Sequence, residues 1–115
     1  MSQTILDTNF ILSCVKNKID FFEEIKFMGL QIIIPVQVIN EIKRLKNRNS
    51  GLAIKILEKN SFKKIDLGKG HVDKRIIKFA KQNPQAVIAT LDRELKKKVK
   101  NNKMVIRGTK KLEII

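Results

Sequence analysis

The sequence predicts an α/β protein, a three-layer α/β/α domain on a central, mainly parallel sheet, and three observations carry that expectation. Compact apolar runs of strand length recur at Thr4-Ile5-Leu6, at Leu30 to Ile34 and at Ala86 to Thr90. Segments with helical apolar spacing separate them, so that strand and helix alternate along the chain. Three of the five aspartates and one glutamate fall where strand C-termini or the following helices begin: Asp7 after SQTIL, Glu41 after QIIIP, Asp73 after GKGH and Asp92 after AVIAT. A length of 115 residues fits one domain, 1–115, with a core large enough to fold unaided.

The elements follow in order. Thr4-Ile5-Leu6 ends at Asp7, and Asn9-Phe10-Ile11-Leu12 begins a helical pattern, giving strand, tight turn and helix. Asn17 interrupts it. Ile19, Phe22, Ile25 and Phe27 with Met28 resume an amphipathic helix that stops at Gly29, a residue suited to a C-terminal cap. Leu30 to Ile34 reads as a buried strand, and Pro35 suits the first turn of a helix whose Val38, Ile42 and Leu45 keep i, i+4, i+7 spacing. Asn49-Ser50-Gly51 is a loop with Ser50 as N-cap of a helix carrying Leu52, Ile56 and Leu57. Phe62 to Leu67 alternates apolar and polar residues and reads as a strand. After Gly68-Lys69-Gly70-His71 comes a helix with Val72, Ile76 and either Phe79 or Ala80 on one face, ended ahead of Pro84. Ala86 to Thr90 is a second fully apolar strand. A helix from Arg93 to about Lys100, a break at Asn101-Asn102, and short strands at Met104 to Arg107 and Leu112 to Ile115 complete the chain.

Composition narrows the function. With 25 Lys plus Arg against 11 Asp plus Glu, the formal net charge is +14, which predicts salt-sensitive attraction to polyanions. No stretch approaches the roughly 20 apolar residues of a membrane span, and MSQTILD lacks a signal-peptide pattern, so a cytoplasmic protein without a membrane partner is expected. Cys14 is the only cysteine, which excludes an intramolecular disulfide and a Cys/His zinc cluster and reads as a small buried hydrophobe. Trp and Tyr are absent, and Phe10, Phe21, Phe22 and Phe27 fall in helical segments, so bases are not expected to stack on a displayed sheet.

A parallel sheet gathers its strand C-termini along one edge, where ligands bind, so Asp7, Glu41, Asp73 and Asp92 are expected to converge there. Each has a plainer reading as well. Asp7 and Asp92 suit helix N-caps, Asp73 a first helical turn, and Glu41 a solvated position facing Arg44. Those readings do not explain a common location. Four clustered carboxylates need a cation, and Mg²⁺ or Mn²⁺ accept oxygen ligands while neutralising charge at a scissile phosphate. Asn9 and Thr90, two residues from Asp7 and Asp92, are candidates to orient the acids.

Read in order, Leu6-Asp7-Thr8-Asn9, Ile34-Pro35 ahead of Glu41-Ile42-x-x-Leu45, Val72-Asp73-x-x-Ile76 and Ala89-Thr90-x-Asp92-x-x-Leu95 resemble a PIN domain from Thr4 to Lys110-Lys111-Leu112-Glu113. That resemblance implies a Rossmann-like PIN fold and a Mg²⁺- or Mn²⁺-dependent endoribonuclease leaving 5′-phosphate and 3′-hydroxyl ends. By motif position it assigns metal binding and catalysis to Asp7, Glu41, Asp73 and Asp92, with Asn9 and Thr90 in support. Two groups fit: toxin halves of VapBC toxin–antitoxin pairs, and ribosomal-RNA-processing PIN nucleases, to which the ending RGTKKLEI and the AT-x-D-x-x-L block look more similar. Many relatives carry a second acid after the third motif aspartate. Here that position is Lys74, which puts a second metal site in doubt.

Lys43, Arg44, Lys46 and Arg48 follow Glu41, and Arg93, Lys96, Lys97 and Lys98 follow Asp92, so both groups are expected to flank the cleft and hold RNA phosphates rather than serve only as solvated faces. His71 in its Gly-rich turn reads as a cap or surface residue more readily than as a catalytic group. Gly68-Lys69-Gly70 lacks the length and placement of a nucleotide-triphosphate loop. The expected partner is RNA, whether rRNA, tRNA or mRNA, with an antitoxin or a ribosome-assembly partner according to the group. A non-catalytic RNA-binding scaffold is the competing reading, and Phe21, Phe22 and Phe27 are candidates for an exposed homodimer face.

Overall fold

The computed structural model describes residues 2–115. Among these residues, six strands and six helices follow in the order β1 (Gln3–Leu6), α1 (Thr8–Lys16), α2 (Phe21–Phe27), β2 (Gln31–Pro35), α3 (Val36–Leu45), α4 (Arg48–Lys59), β3 (Lys63–Ile65), α5 (Val72–Gln82), β4 (Val87–Ala89), α6 (Arg93–Lys98), β5 (Lys103–Arg107) and β6 (Lys111–Ile114). The strands form one sheet in the order β3-β2-β1-β4-β5-β6, parallel except for β6, which runs antiparallel to β5. This is the expected α/β/α architecture.

Alternating side chains explain the three layers, because successive residues of a strand face opposite sides. Leu6, Ile32, Ile34, Val87, Ala89 and Met104 join a core built with α1, α2, α3 and α4. Their neighbours Ile5, Ile33 and Ile88 face the other way, against Ile76 and Ala80 of α5 and Leu95 and Val99 of the α6 segment. A continuous apolar strand such as Ile32-Ile33-Ile34 is what a sheet covered on both faces requires. Cys14 is fully buried, and burial pushes its thiol up to about 12.

The ends of the elements follow local chemistry, with some differences from expectation. Gly29 takes a positive φ of 78°, and a Schellman cap closes α2: Gly29 N–H donates to Lys26 O at 2.9 Å and Leu30 N–H to Ile25 O at 3.3 Å. Ser50 is not the N-cap of α4. That role falls to Asn47, whose side chain accepts from Ser50 N–H at 2.8 Å while Ser50 Oγ accepts from Asn47 N–H at 2.8 Å, a reciprocal capping box. The strand expected over 62–67 shortens to Lys63–Ile65, since it lies at the sheet edge with a partner on one side only. Phe21 and Phe22 are buried in the core, so they offer no homodimer face; Phe27 stays exposed. Among the described residues, no helix is long and apolar enough to cross a membrane.

Candidate metal centre at the sheet edge

The strand order turns back between β1 and β4: β2 lies on one side of β1 and β4 on the other. Such a reversal leaves a crevice beyond the strand C-termini. Leu6 and Ala89 are register partners at that level, and Asp7 N–H donates to Ala89 O at 3.0 Å, fixing the first acid across the gap. A cavity of about 320 Å³ opens there, lined by Asp7, Thr8, Asn9, Glu41, Leu45, Asp73 and Asp92. The structure therefore brings together all four acids singled out in the sequence, from four separate segments.

Each acid is held by its local element. Asp7 is the N-cap of α1, its Oδ1 accepting from Thr8 N–H at 2.8 Å, and Asp92 is the N-cap of α6, its Oδ1 accepting from Glu94 N–H at 2.9 Å and Leu95 N–H at 3.3 Å. Capping and convergence are thus compatible, because a strand that ends at a cleft and starts a helix places its capping carboxylate at the cleft. Asp73 lies in the first turn of α5. Glu41 does not pair with Arg44, which instead bonds the Asn40 carbonyl; Thr8 Oγ1 donates to Glu41 Oε1.

Thr90 does more than neighbour Asp92. Its buried hydroxyl donates to Asp7 Oδ2 at 3.0 Å and accepts from Asp92 N–H at 3.1 Å, so one side chain ties the two aspartate segments together. Asn9 is exposed and lines the cavity. Two lining residues escaped the sequence reading. Thr8 stands inside the Leu6-Asp7-Thr8-Asn9 run, but its contact with Glu41 depends on how α3 packs against α1. Leu45 keeps the α3 spacing of a core residue, yet it is 47% exposed and forms the apolar wall of the cavity.

The electrostatics are those of negative charges awaiting a counter-charge. Burial raises the pKa of Asp7 from its ordinary value, and the Asp73 and Glu41 charges add to the rise, while the bonds from Thr8 and Thr90 oppose it. Asp73 is also raised, by desolvation and then by Asp92 and Glu41, with His71 and Lys98 opposing. In a chain carrying 25 Lys and Arg, the one ion pair within 4.0 Å among the described residues is Arg107–Glu113, so none of the four acids is neutralised by a basic side chain. The oxygen donors fit a hard divalent cation in type and number. They line the cavity rather than close on a point: among the described residues, no three His, Cys, Asp or Glu side chains are grouped tightly enough to hold an ion as they stand.

The eight basic residues stand outside the cavity lining. Lys43, Arg44, Lys46 and Arg48 are exposed on the last turns of α3 and the start of α4, and Arg93, Lys97 and Lys98 are exposed on α6 with Lys96 half-buried. His71 is the backbone N-cap of α5 without a side-chain bond, as a cap or surface residue would be.

Comparison with known proteins bears on this arrangement. The chain is 34% identical over 127 aligned residues, covering 99% of this chain and 97% of the relative, to the ribonuclease VapC4 of Methanocaldococcus jannaschii. Its fold is similar to the structure of the PIN domain endonuclease Utp24, with a TM-score of 0.84 over 97% of this chain and 90% of that one, at 23% identity. The profile of the PIN-like domain family matches residues 4–109. From its first strand to its last hairpin, the chain belongs to the PIN-like domain family.

Proposed function

We propose that the protein is a Mg²⁺- or Mn²⁺-dependent endoribonuclease. The observation that carries this reading is a cavity lined by four carboxylates with no ion-pair partner among the described residues, in a chain whose net charge of +14 attracts polyanions. A pure binder would gain nothing from carboxylates that repel its ligand. Similarity over nearly the full length of a curated ribonuclease supports the same reading.

Asp7, Glu41, Asp73 and Asp92 would hold the ion, which when bound activates water and polarises the phosphoryl group. The chain's own residues fix the donors. Thr90 orients Asp7 Oδ2, Thr8 N–H orients Oδ1, and Thr8 Oγ1 holds Glu41, so two of the acids are positioned at the cavity before an ion arrives. Asp92 Oδ1 is committed to the α6 cap, leaving Oδ2 for the cavity. Asn9 contributes an exposed amide at the mouth. Hydrolysis adds water at phosphorus and breaks its bond to the 3′-oxygen, which leaves with a proton, giving 5′-phosphate and 3′-hydroxyl ends. The basic residues of α3, α4 and α6 would hold phosphates on either side.

Identity to VapC4 favours a toxin-type ribonuclease with an antitoxin partner over ribosomal-RNA processing. The deciding experiment is cleavage of labelled structured RNA with Mn²⁺, with Mg²⁺ and with EDTA, using wild type beside folded Asp7→Asn and Asp92→Asn proteins. Metal-dependent cutting lost in both variants is expected. Salt-sensitive binding without cutting, indifferent to both substitutions, would instead make the protein a scaffold.

A further inference from the structure

Among the described residues, the β5–β6 hairpin is the one antiparallel unit of the sheet, and it reaches past the level at which the acids begin. Leu6, Ala89 and Met104 are register partners across β1, β4 and β5, whereas β5 continues to pair with β6 through Ile106↔Leu112 and Arg107↔Lys111. Three further residues at about 3.3 Å each carry the ribbon roughly 10 Å beyond that level. β5 is the next strand to β4 and the second from β1, so the ribbon rises about 5 Å to the side of the Asp92 strand and about 10 Å from that of Asp7.

The charges on this ribbon are divided. Arg107 is engaged by Glu113 through two hydrogen bonds, a cross-strand clamp that stiffens the projecting end and neutralises itself. Lys110 in the turn and Lys111 at its exit are exposed, and neither has an ion-pair partner among the described residues. Lys111, as the register partner of Arg107, is one residue from Leu112, which faces the α1–α4 core. By strand alternation it points to the face that carries α6, where Lys97 and Lys98 are exposed.

We infer that the β5–β6 hairpin is a backbone-binding arm that holds phosphates of a single-stranded RNA where it leaves the cleft on the β4 side. The identity of the polyanion rests on the ribonuclease reading. Rigidity matters, since a stapled ribbon presents its two lysines at a fixed offset from the acids, whereas lysines on a frayed terminus would contribute only bulk charge. With no aromatic side chain on the projecting turn, the contact carries no base preference.

The test is the salt dependence of binding to a labelled single-stranded RNA long enough to overrun the cleft, in EDTA, where cutting is silent. Lys110→Gln with Lys111→Gln should flatten the slope of log K against log salt by about 1.4, from two lost contacts at about 0.7 each. The control is Lys26→Gln with Lys81→Gln, which changes net charge equally at the C-terminal ends of α2 and α5, where those helices lead into the starts of β2 and β4 and so lie at the end of the sheet away from the acids, and should leave the slope unchanged. An unchanged slope in the hairpin variant, an equal loss in both variants, or no salt-dependent binding by wild type overturns the arm. Failure of the ribonuclease reading shows separately, as wild type that binds with the hairpin-dependent slope yet does not cut with Mn²⁺.

Discussion

A single hydroxyl, that of Thr90, sits between two of the four acids and is fully buried, so its loss has a definite chemical consequence. Thr90→Val removes the bond that holds Asp7 Oδ2 and opposes the rise in its pKa. The expected result is a fall in kcat/KM of about 10–100-fold, the usual cost of losing a group that orients a ligand. The acid limb of the pH–rate profile should also move to higher pH, because Asp7 without that bond ionises less readily. Thr90→Ser should restore both, and a loss of activity with no movement of the acid limb would mark a merely structural role. Asp7 and Asp92 were legible in the sequence because a parallel sheet carries its strand ends to one edge, and Glu41 and Asp73, which lie inside α3 and in the first turn of α5, because their motifs follow in order between them. Thr8 was not, since its bond to Glu41 is set by the packing of α1 against α3, a contact between residues 33 positions apart.

At the scale of elements, α4 shows what a cap contributes. Its Ala53 and Leu57 are buried against the α1–α3 side of the core, so the start of the helix fixes where they land. Asn47→Ala breaks the capping box and should cost about 1 kcal/mol, read as a fall in Tm of roughly 4 °C; an unchanged Tm would mean the capping box contributes nothing to holding α4. The sequence placed a cap here but on Ser50, because the same residue types serve at N-cap and N3 and only the backbone angle of Asn47 separates them. Phe27 fell to a similar ambiguity. At about 100° per residue it lies some 140° around α2 from Phe22, so the two cannot share a face, and the helix buries Phe21, Phe22 and Ile25 while leaving Phe27 in solvent. Apolar strands, by contrast, were plain from composition: the run expected over Ala86 to Thr90 lost one residue at each end, to Val87–Ala89, while the edge strand β3 shrank by half, where one-sided pairing left Phe62 and Leu67 to follow the turns around it.

For the whole molecule the controlling fact is a charge of +14 wrapped around a cavity of four carboxylates that have no ion-pair partner among the described residues. Monovalent salt screens the repulsion among surface lysines and should raise Tm in any variant. A divalent ion does that and also answers the acids. The sign for Asp73 follows from its raised pKa: its ionised form is disfavoured in the fold, so it costs stability above its unfolded value of about 3.9, and the cost is relieved as pH falls through the higher folded value. Asp73→Asn should therefore raise the Tm of the metal-free protein at neutral pH, with the gap over wild type closing on acidification. Mg²⁺ at a hundredfold excess over its Kd should stabilise wild type by about 2.7 kcal/mol beyond KCl of matched ionic strength, and Asp73→Asn by less. Thermal melts in the two salts decide it. Equal gains from Mg²⁺ and KCl would mean that the acids repel one another without gathering an ion, and the cavity would lose its claim to a metal.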